Sequence, residues 1–566
     1  MTTLLRNAAL FDGRRYRGPG HEVLLDAGRV VAVGAAGPAG ASGAAGLGSR
    51  ARAGVDDVVD LGGALLAPGF VDAHVHPVQG GLERMRCDLS ELDTREEYVA
   101  AVAAHAAANP DAPWILGGGW AMPAFPGGTP TAADLDAVVP DRPVFLPNRD
   151  HHGAWVNSRA LEVAGIDWHT PDPADGRIER DAGGRPTGTL HEGATSLVSR
   201  HLPPTTDADQ LAALLTGQAH LHSLGVTGWQ DAIVGAYSGM DDTSATYTAA
   251  AASGDLRSDV VGALWWDRER GVEQVAELVA RREAMSGGRF HATSVKIMQD
   301  GVAENGTAAL DAPYLDRCGH ATDNTGHSFL SAAELRAAVA ALDTAGFQVH
   351  VHAIGDRGVR EALDAFEGTD PATRAERRHH LAHLQVVHPD DVRRFAALDV
   401  AANVQALWAC LDEQMVDLTL PFLGEERARW QYPFGDLHRA GARLVAGSDW
   451  PVSTPDPLQA IHVAVNRWAH GQDGQDGPAG PRGEPVAFLP EQALTLETAF
   501  AAYTSGSAWI NHRDRRDGAG VVAPGAAADL VVLDRDPFAA PAAEIGAARV
   551  VSTWIDGEVV HQQRNR

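Results

Sequence analysis

Eight short apolar runs of strand length, several of them followed by a helical pattern, constrain this chain more than any other feature. They lie at 69–76, 226–231, 260–266, 294–299, 348–352, 380–386, 400–405 and 443–449. Helical periodicity follows the third, fourth and fifth runs, at 272–284, 332–345 and 358–366. Alternating strand and helix implies parallel strands, because a parallel neighbour is reached only through a crossover. Eight such units imply a closed β/α (TIM) barrel. The interval between the first and second runs, residues 77–220, is too long for one crossover and reads as an inserted subdomain.

The two ends of the chain have a different texture. Short β segments separated by Gly and Asp turns occur at 4–10, 22–25, 30–33 and 58–61, and again at 529–533, 550–555 and 558–561. They predict one small composite β-sandwich built from both termini. The expected division is therefore 1–67 plus 513–566 for the sandwich, 68–76 plus 221–512 for the barrel, and 77–220 for the insertion. The Gly/Ala-rich stretch 35–54 reads as a mobile loop, and 470–485 as a flexible connector near the barrel mouth.

Charge and cysteine usage narrow the function classes. A formal net charge of −28 opposes binding to nucleic acid or to an anionic membrane, both of which need basic surfaces. No apolar run approaches the length of a bilayer span or a signal peptide. Three scattered cysteines, Cys87, Cys318 and Cys410, exclude a disulfide framework and a Cys-only zinc site. The expectation is a cytoplasmic protein that takes a small-molecule substrate, with no nucleic-acid or membrane partner and a homodimer as its assembly. Neither a GxxxxGK loop nor a GxSxG elbow is present, and Gly117–Gly118–Gly119 lacks the strand–helix context of a dinucleotide fingerprint.

Of 46 basic residues one is lysine, Lys296. Compositional drift accounts for arginine replacing lysine on a surface, where either cation serves, and a chance survivor is the competing reading of the one that stays. A buried amine, however, can lose its proton and react, which a guanidinium cannot do. Lys296 is thereby a candidate for chemistry.

The first run ends in Asp72-Ala73-His74-Val75-His76-Pro77. Side chains two apart on a strand share a face, so His74 and His76 face one point, and barrel sites lie at strand C-termini. Imidazole is the commonest zinc ligand. Later runs carry Lys296, His352, His383 and Asp449, in the fourth, fifth, sixth and eighth strands. Spacing alone leaves His350 open against His352, and His379 and His380 open against His383. Six such groups on one rim are hard to accommodate without a metal, because unpaired buried charge is costly.

The motifs GFVDAHVHP, VKIMQDG, VHAIGD, HLQ and GSDWPV, in this order, resemble the amidohydrolase superfamily, and most closely its YtcJ-like branch, which includes N-substituted formamide deformylases. The likeness covers nearly the whole chain, including RDHHGAWVNSRAL, GRPTGTLHEGA and the closing GAAADLVVLDRDP. It implies a TIM barrel flanked by a composite sandwich. It further implies His74, His76 and Asp449 around a buried metal, His352 and His383 around a second, and Lys296 bridging the two as a carbamate made with carbon dioxide. The trailing motifs favour His352 and His383 over their neighbours. Two zinc ions are the expected metals, and Asp449 is the expected proton carrier beside the attacking hydroxide, which the metals supply at neutral pH. His152, Asn157, Glu192 and Trp120 are expected to touch substrate, with Trp155, Trp408 and Trp450 around an apolar substituent. Ala382 and Ala121 stand where the branch often has acids, which bears on neighbouring contacts rather than on the ligands.

The resulting expectation is a metal-dependent hydrolase of a non-peptide C–N bond, amide or formamide-like. The alternatives are a cyclic amidase, lactonase or deacylase on the same site, or a non-catalytic metal-binding regulator.

Overall fold

The computed structural model describes residues 2–35, 54–237, 240–471 and 485–563. The mobile loop expected at 35–54 and the connector at 470–485 therefore fall, for residues 36–53 and 472–484, outside the described residues.

The eight runs form the eight parallel strands of one sheet: β1 (Phe70–Val75), β2 (Val226–Val234), β3 (Asp259–Trp265), β4 (Phe290–Met298), β5 (Gln348–Ala353), β6 (His380–His383), β7 (Ala401–Val404) and β8 (Leu444–Ala446). Each strand pairs with its sequence neighbours. The first and last are joined just beyond β8, where Asp449 N–H donates to His74 O at 2.7 Å and His76 N–H to Trp450 O at 2.8 Å. That seam requires glycine at 447, since a Cβ there would lie 2.6 Å from the His74 Cβ. Asp72 fastens the same seam by accepting from the backbone N–H of both His74 and Ser448.

Helices cover the barrel as the sequence periodicity predicts. Ala332–Thr344 opens with a capping box between Ser331 and Glu334, and Asp356–Glu367 buries Val359, Ala362, Leu363 and Phe366 against the strands. Burying an apolar face of this size stabilises by roughly 1.5–3 kcal/mol per large side chain.

The two ends of the chain combine into one eight-stranded sheet, in which Leu65–Pro68 lies between Thr3–Phe11 and Leu530–Leu533. Its core holds Leu5, Leu10, Val23 and Leu66 from one end and Leu530, Val532 and Trp554 from the other. Arg513, 1% exposed, ties this sheet to the barrel floor. Its guanidinium lies 2.6 Å from carboxylate oxygens of both Asp517 and Asp529 and 3.7 Å from Asp259 at the start of β3. Arg513→Ala strands buried carboxylates, so the expected cost is about 3–5 kcal/mol. A denaturation midpoint unchanged from wild type would contradict this.

Between β1 and β2 the chain builds a separate six-stranded sheet, ordered Gly176–Arg180, Pro186–Glu192, Gly153–Val156, Val144–Pro147, Ile115–Gly118 and Cys87–Asp88. The helices at its two ends, Pro77–Met85 and Asp207–Ser223, cross in close contact. A Cβ at Gly81 would sit 1.9 Å from Ala213 O, which is why the residue is glycine. The turn at 149–152 brings this subdomain over the C-terminal rim of the barrel, where His152 meets His352 with ring centroids 5.7 Å apart. Among the described residues, no helix is long and apolar enough to cross a membrane.

Candidate metal centre

His74 and His76 leave the end of β1 on one face, as strand geometry dictates, and both reach Asp449. Each Nε2 lies 2.9 Å from Asp449 Oδ1. The three residues place one potential ligand atom each within 4.8 Å of one another. Lys296 on β4 puts its Nζ 3.4 Å from His74 Nε2. His383, at the end of β6, has its ring centroid 4.7 Å from that of His74 and 4.4 Å from that of His352 at the end of β5. All six residues are buried, none more than 9% exposed.

Two of these groups are backbone outliers. His383 (φ 81°) and Asp449 (φ 59°) both adopt left-handed conformations that L side chains disfavour. Such conformations persist where the surrounding structure imposes them, and they cluster at functional sites.

The electrostatics of the cluster suit a bound cation. Burial alone would raise the Asp449 carboxyl, but His74 and His76, with His383 behind them, hold it well below the usual carboxylate range. Burial lowers His74 to about 3, with the Lys296 charge adding to the effect. Burial also lowers His352 and His383 well below the ordinary imidazole range, the former further by Lys296 and the latter by His352. These rings are thus neutral donors of lone pairs. Burial brings the Lys296 ammonium down to about 8, against the pull of Asp449.

The donor set fits a divalent cation. Among the described residues, neither ring nitrogen of His383 has a hydrogen-bond partner, nor does His76 Nδ1, although all three atoms are buried. Buried polar atoms left unpaired are rare, and each calls for an explanation such as an ion. Imidazole and carboxylate suit zinc and its divalent neighbours.

The cluster forms the floor of a cavity of about 490 Å³. Apolar walls come from Ile233, Trp265, Met298, Leu407, Trp408 and Trp450. Trp408 stacks on His383 with the planes 12° apart. His152 also lines the cavity, with its Nδ1 3.0 Å from Glu192. Burial alone would lower His152, but the Glu192 carboxylate, helped by Asp150 and Asp449, takes it up to about 9.

Four of the residues expected at the substrate need correction. Asn157 is wholly committed to local structure. Its Oδ1 accepts from the N–H groups of Val144 and Ala160, and its Nδ2 donates to Val139 O and Arg142 O, so it caps a helix rather than meeting a ligand. Trp120 is 1% exposed, donates to Leu146 O, and packs edge-on against Phe125 and Trp155 in the core of the inserted subdomain. Trp155 belongs to the same core. Glu192 reaches the cavity only through His152, and its own backbone is held at φ 51°.

The alternatives that spacing left open separate by depth. His350 and His380 lie beneath the cavity inside the barrel, where both contact Gln230 Oε1. His379 points outward to Asp343. Sequence reasoning missed Gln230, and missed Glu304, Asp412, Arg149 and Tyr237 on the cavity wall. Gln230 had a signal, a lone amide inside an apolar strand run. The wall residues come from loops and had none.

Comparison with known proteins agrees with this geometry. The amidohydrolase family model matches residues 57–561. YtcJ of Bacillus subtilis is 30% identical over 517 residues, covering 89% of this chain and 90% of that protein. The N-substituted formamide deformylase of Arthrobacter pascens is 26% identical, covering 96% and 95%. An uncharacterized metal-dependent hydrolase from Pyrococcus furiosus superposes with a TM-score of 0.68 at 26% identity, covering 95% of this chain and 100% of that one. A barrel whose strand ends converge on buried histidines and an aspartate, matched along nearly its whole length, belongs to the amidohydrolase family of hydrolases, on its YtcJ-like branch.

Proposed function

We propose that this protein hydrolyses a carbon–nitrogen bond of an amide or formamide whose nitrogen carries an apolar or aromatic substituent. The observation that carries the reading is the convergence of unpartnered buried donors at the floor of an apolar-walled cavity. His74, His76 and Asp449 would hold one divalent ion, His352 and His383 a second, and Lys296, as a carbamate, would serve both; zinc is the ion proposed. When bound, the ions supply hydroxide near neutral pH and polarise the substrate carbonyl.

The chain's own residues do the rest. Asp449, an ionised carboxylate at the floor, takes the proton released as water adds to the carbonyl carbon and returns it to the departing nitrogen. A C–O bond forms, the C–N bond breaks, and the amine leaves neutral. His152, kept charged by Glu192, donates to the carbonyl oxygen as negative charge develops there. Trp408, Leu407 and Met298 take the apolar substituent and keep water from it.

The test is hydrolysis of an N-aryl formamide such as 4-nitroformanilide by the metal-loaded chain. Release of formate and amine, abolished by a chelator and restored by zinc, is expected. Turnover confined to lactones or cyclic amides would replace the reading with one of those activities, and no turnover of any carbonyl substrate by a metal-replete chain would contradict it. Within the same assay His152→Gln should lower kcat/KM by about 10²–10³-fold with metal content unchanged, the usual effect of removing one oxyanion donor.

A further inference from the structure

A TIM barrel interior is ordinarily filled by branched apolar side chains. Here it contains a column of fully buried polar ones beneath the metal centre: Gln348, Gln230, His350, His380 and Asn403, none more than 3% exposed. The hydrogen bonds of this column admit one arrangement of protons.

The column begins at the barrel floor. Gln348 Nε2 lies 2.8 Å from Ile510 O and 3.0 Å from Arg378 O, and since backbone carbonyls only accept, the amide orientation is fixed. Gln348 Oε1 therefore faces upward and accepts from Gln230 Nε2 at 2.8 Å. Gln230 Nε2 donates its other proton to Asn511 Oδ1 at 3.2 Å, which leaves Gln230 Oε1 as a pure acceptor. Two imidazoles share that oxygen, His350 through Nδ1 at 2.7 Å and His380 through Nε2 at 3.0 Å, so both of those nitrogens carry hydrogen.

Neither ring has a carboxylate partner among the described residues, and both are wholly buried, where an unpaired charge is costly, so each is neutral. The second nitrogen of each is then a lone pair. For His380 this agrees with an independent contact, since its Nδ1 accepts from Asn403 Nδ2 at 3.2 Å. For His350 the lone pair is on Nε2, 2.9 Å from His74 Nδ1, which must be the donor. His74, with hydrogen on Nδ1, turns its Nε2 toward Asp449 and Lys296, so Nε2 is the atom it offers to a cation.

We propose that the relay Gln348–Gln230–His350 fixes the Nδ1–H tautomer of His74 and so presents its Nε2 lone pair to the cation, which makes Gln230 and His350 positioning residues of the metal centre. The inference rests on the metal-site reading given above. Partners of this kind orient a ligating ring and raise its basicity, and their loss typically costs 10–100-fold in metal affinity.

The experiment uses the full chain labelled with ¹⁵N-histidine, in which long-range nitrogen–proton correlations distinguish the two imidazole tautomers. Resonances are assigned by their loss in single-histidine variants. In the metal-free protein the expected pattern is Nδ1–H for His74 and His350 and Nε2–H for His380. Nε2–H at His350, or a metal-free His74 that carries no hydrogen on Nδ1, would overturn the proposal. Zinc affinity, measured by chelator competition, should fall about 10–100-fold in His350→Leu. It should recover most of that loss in His350→Gln, whose amide oxygen can reach the place of Nε2. Gln230→Leu should fall between them. Unchanged affinity in His350→Leu would also overturn it. If the variants fail to fold, the wild-type spectrum decides alone. If the wild type binds no metal, the metal-site reading fails, while the tautomer pattern still reports on the relay.

Discussion

Asp449→Asn lowers kcat/KM by about 10³–10⁴-fold, the upper range for removal of a positioned proton carrier. The carboxylate stands at the meeting point of the site, with Oδ1 2.9 Å from the Nε2 atoms of both His74 and His76. An amide of the same shape cannot accept and return a proton. The substitution is isosteric, so the fold should survive. The strained backbone at 449 also tolerates asparagine, which enters the left-handed region more readily than most residues. The measurement is formanilide hydrolysis at saturating zinc, with circular dichroism as the check on folding. Activity within tenfold of wild type would remove Asp449 from the mechanism.

Lys296→Arg produces a loss of comparable size through a different cause. A carbamate requires a neutral amine, and burial brings the Lys296 ammonium low enough for a usable neutral fraction near pH 8. A guanidinium stays protonated and cannot form the adduct. It would also place a permanent, bulkier cation in a buried position among His74, His352 and His383, where the proposed divalent ion would bind. The expected result is loss of at least one metal equivalent together with a fall in kcat/KM of about 10³-fold or more, as when a residue acting with others in one site is removed. A variant that keeps both metal and activity would reduce the single lysine of this arginine-rich chain to an accident of composition.

The sequence made the barrel legible because its strands are short, apolar and bounded by helices, a pattern few architectures accept. The polar residues that interrupt those strands were the informative ones, and their spacing brought His74, His76, Lys296, His352, His383 and Asp449 to one rim. Periodicity specifies the face of a strand but not the depth along it. His350 and His352 share a face, and only the structure separates the upper ring beside the cavity from the lower one in the relay. Trp120 and Asn157 were misplaced for a related reason. Each side chain turns into the core of the inserted subdomain, where a hydrophobic cluster and a helix N-terminus claim it. Glu304 and Asp412 come from loops without periodicity, and no sequence pattern announces which loop residue faces a cavity.

Metal content of the purified full chain, by elemental analysis under bicarbonate and paired with intact mass under conditions that preserve carbamates, decides whether the buried cluster is a binuclear centre. About two zinc-like ions per chain are expected, together with a carbon dioxide adduct that is absent from Lys296→Arg. A chain that holds no divalent metal after reconstitution would contradict the binuclear reading.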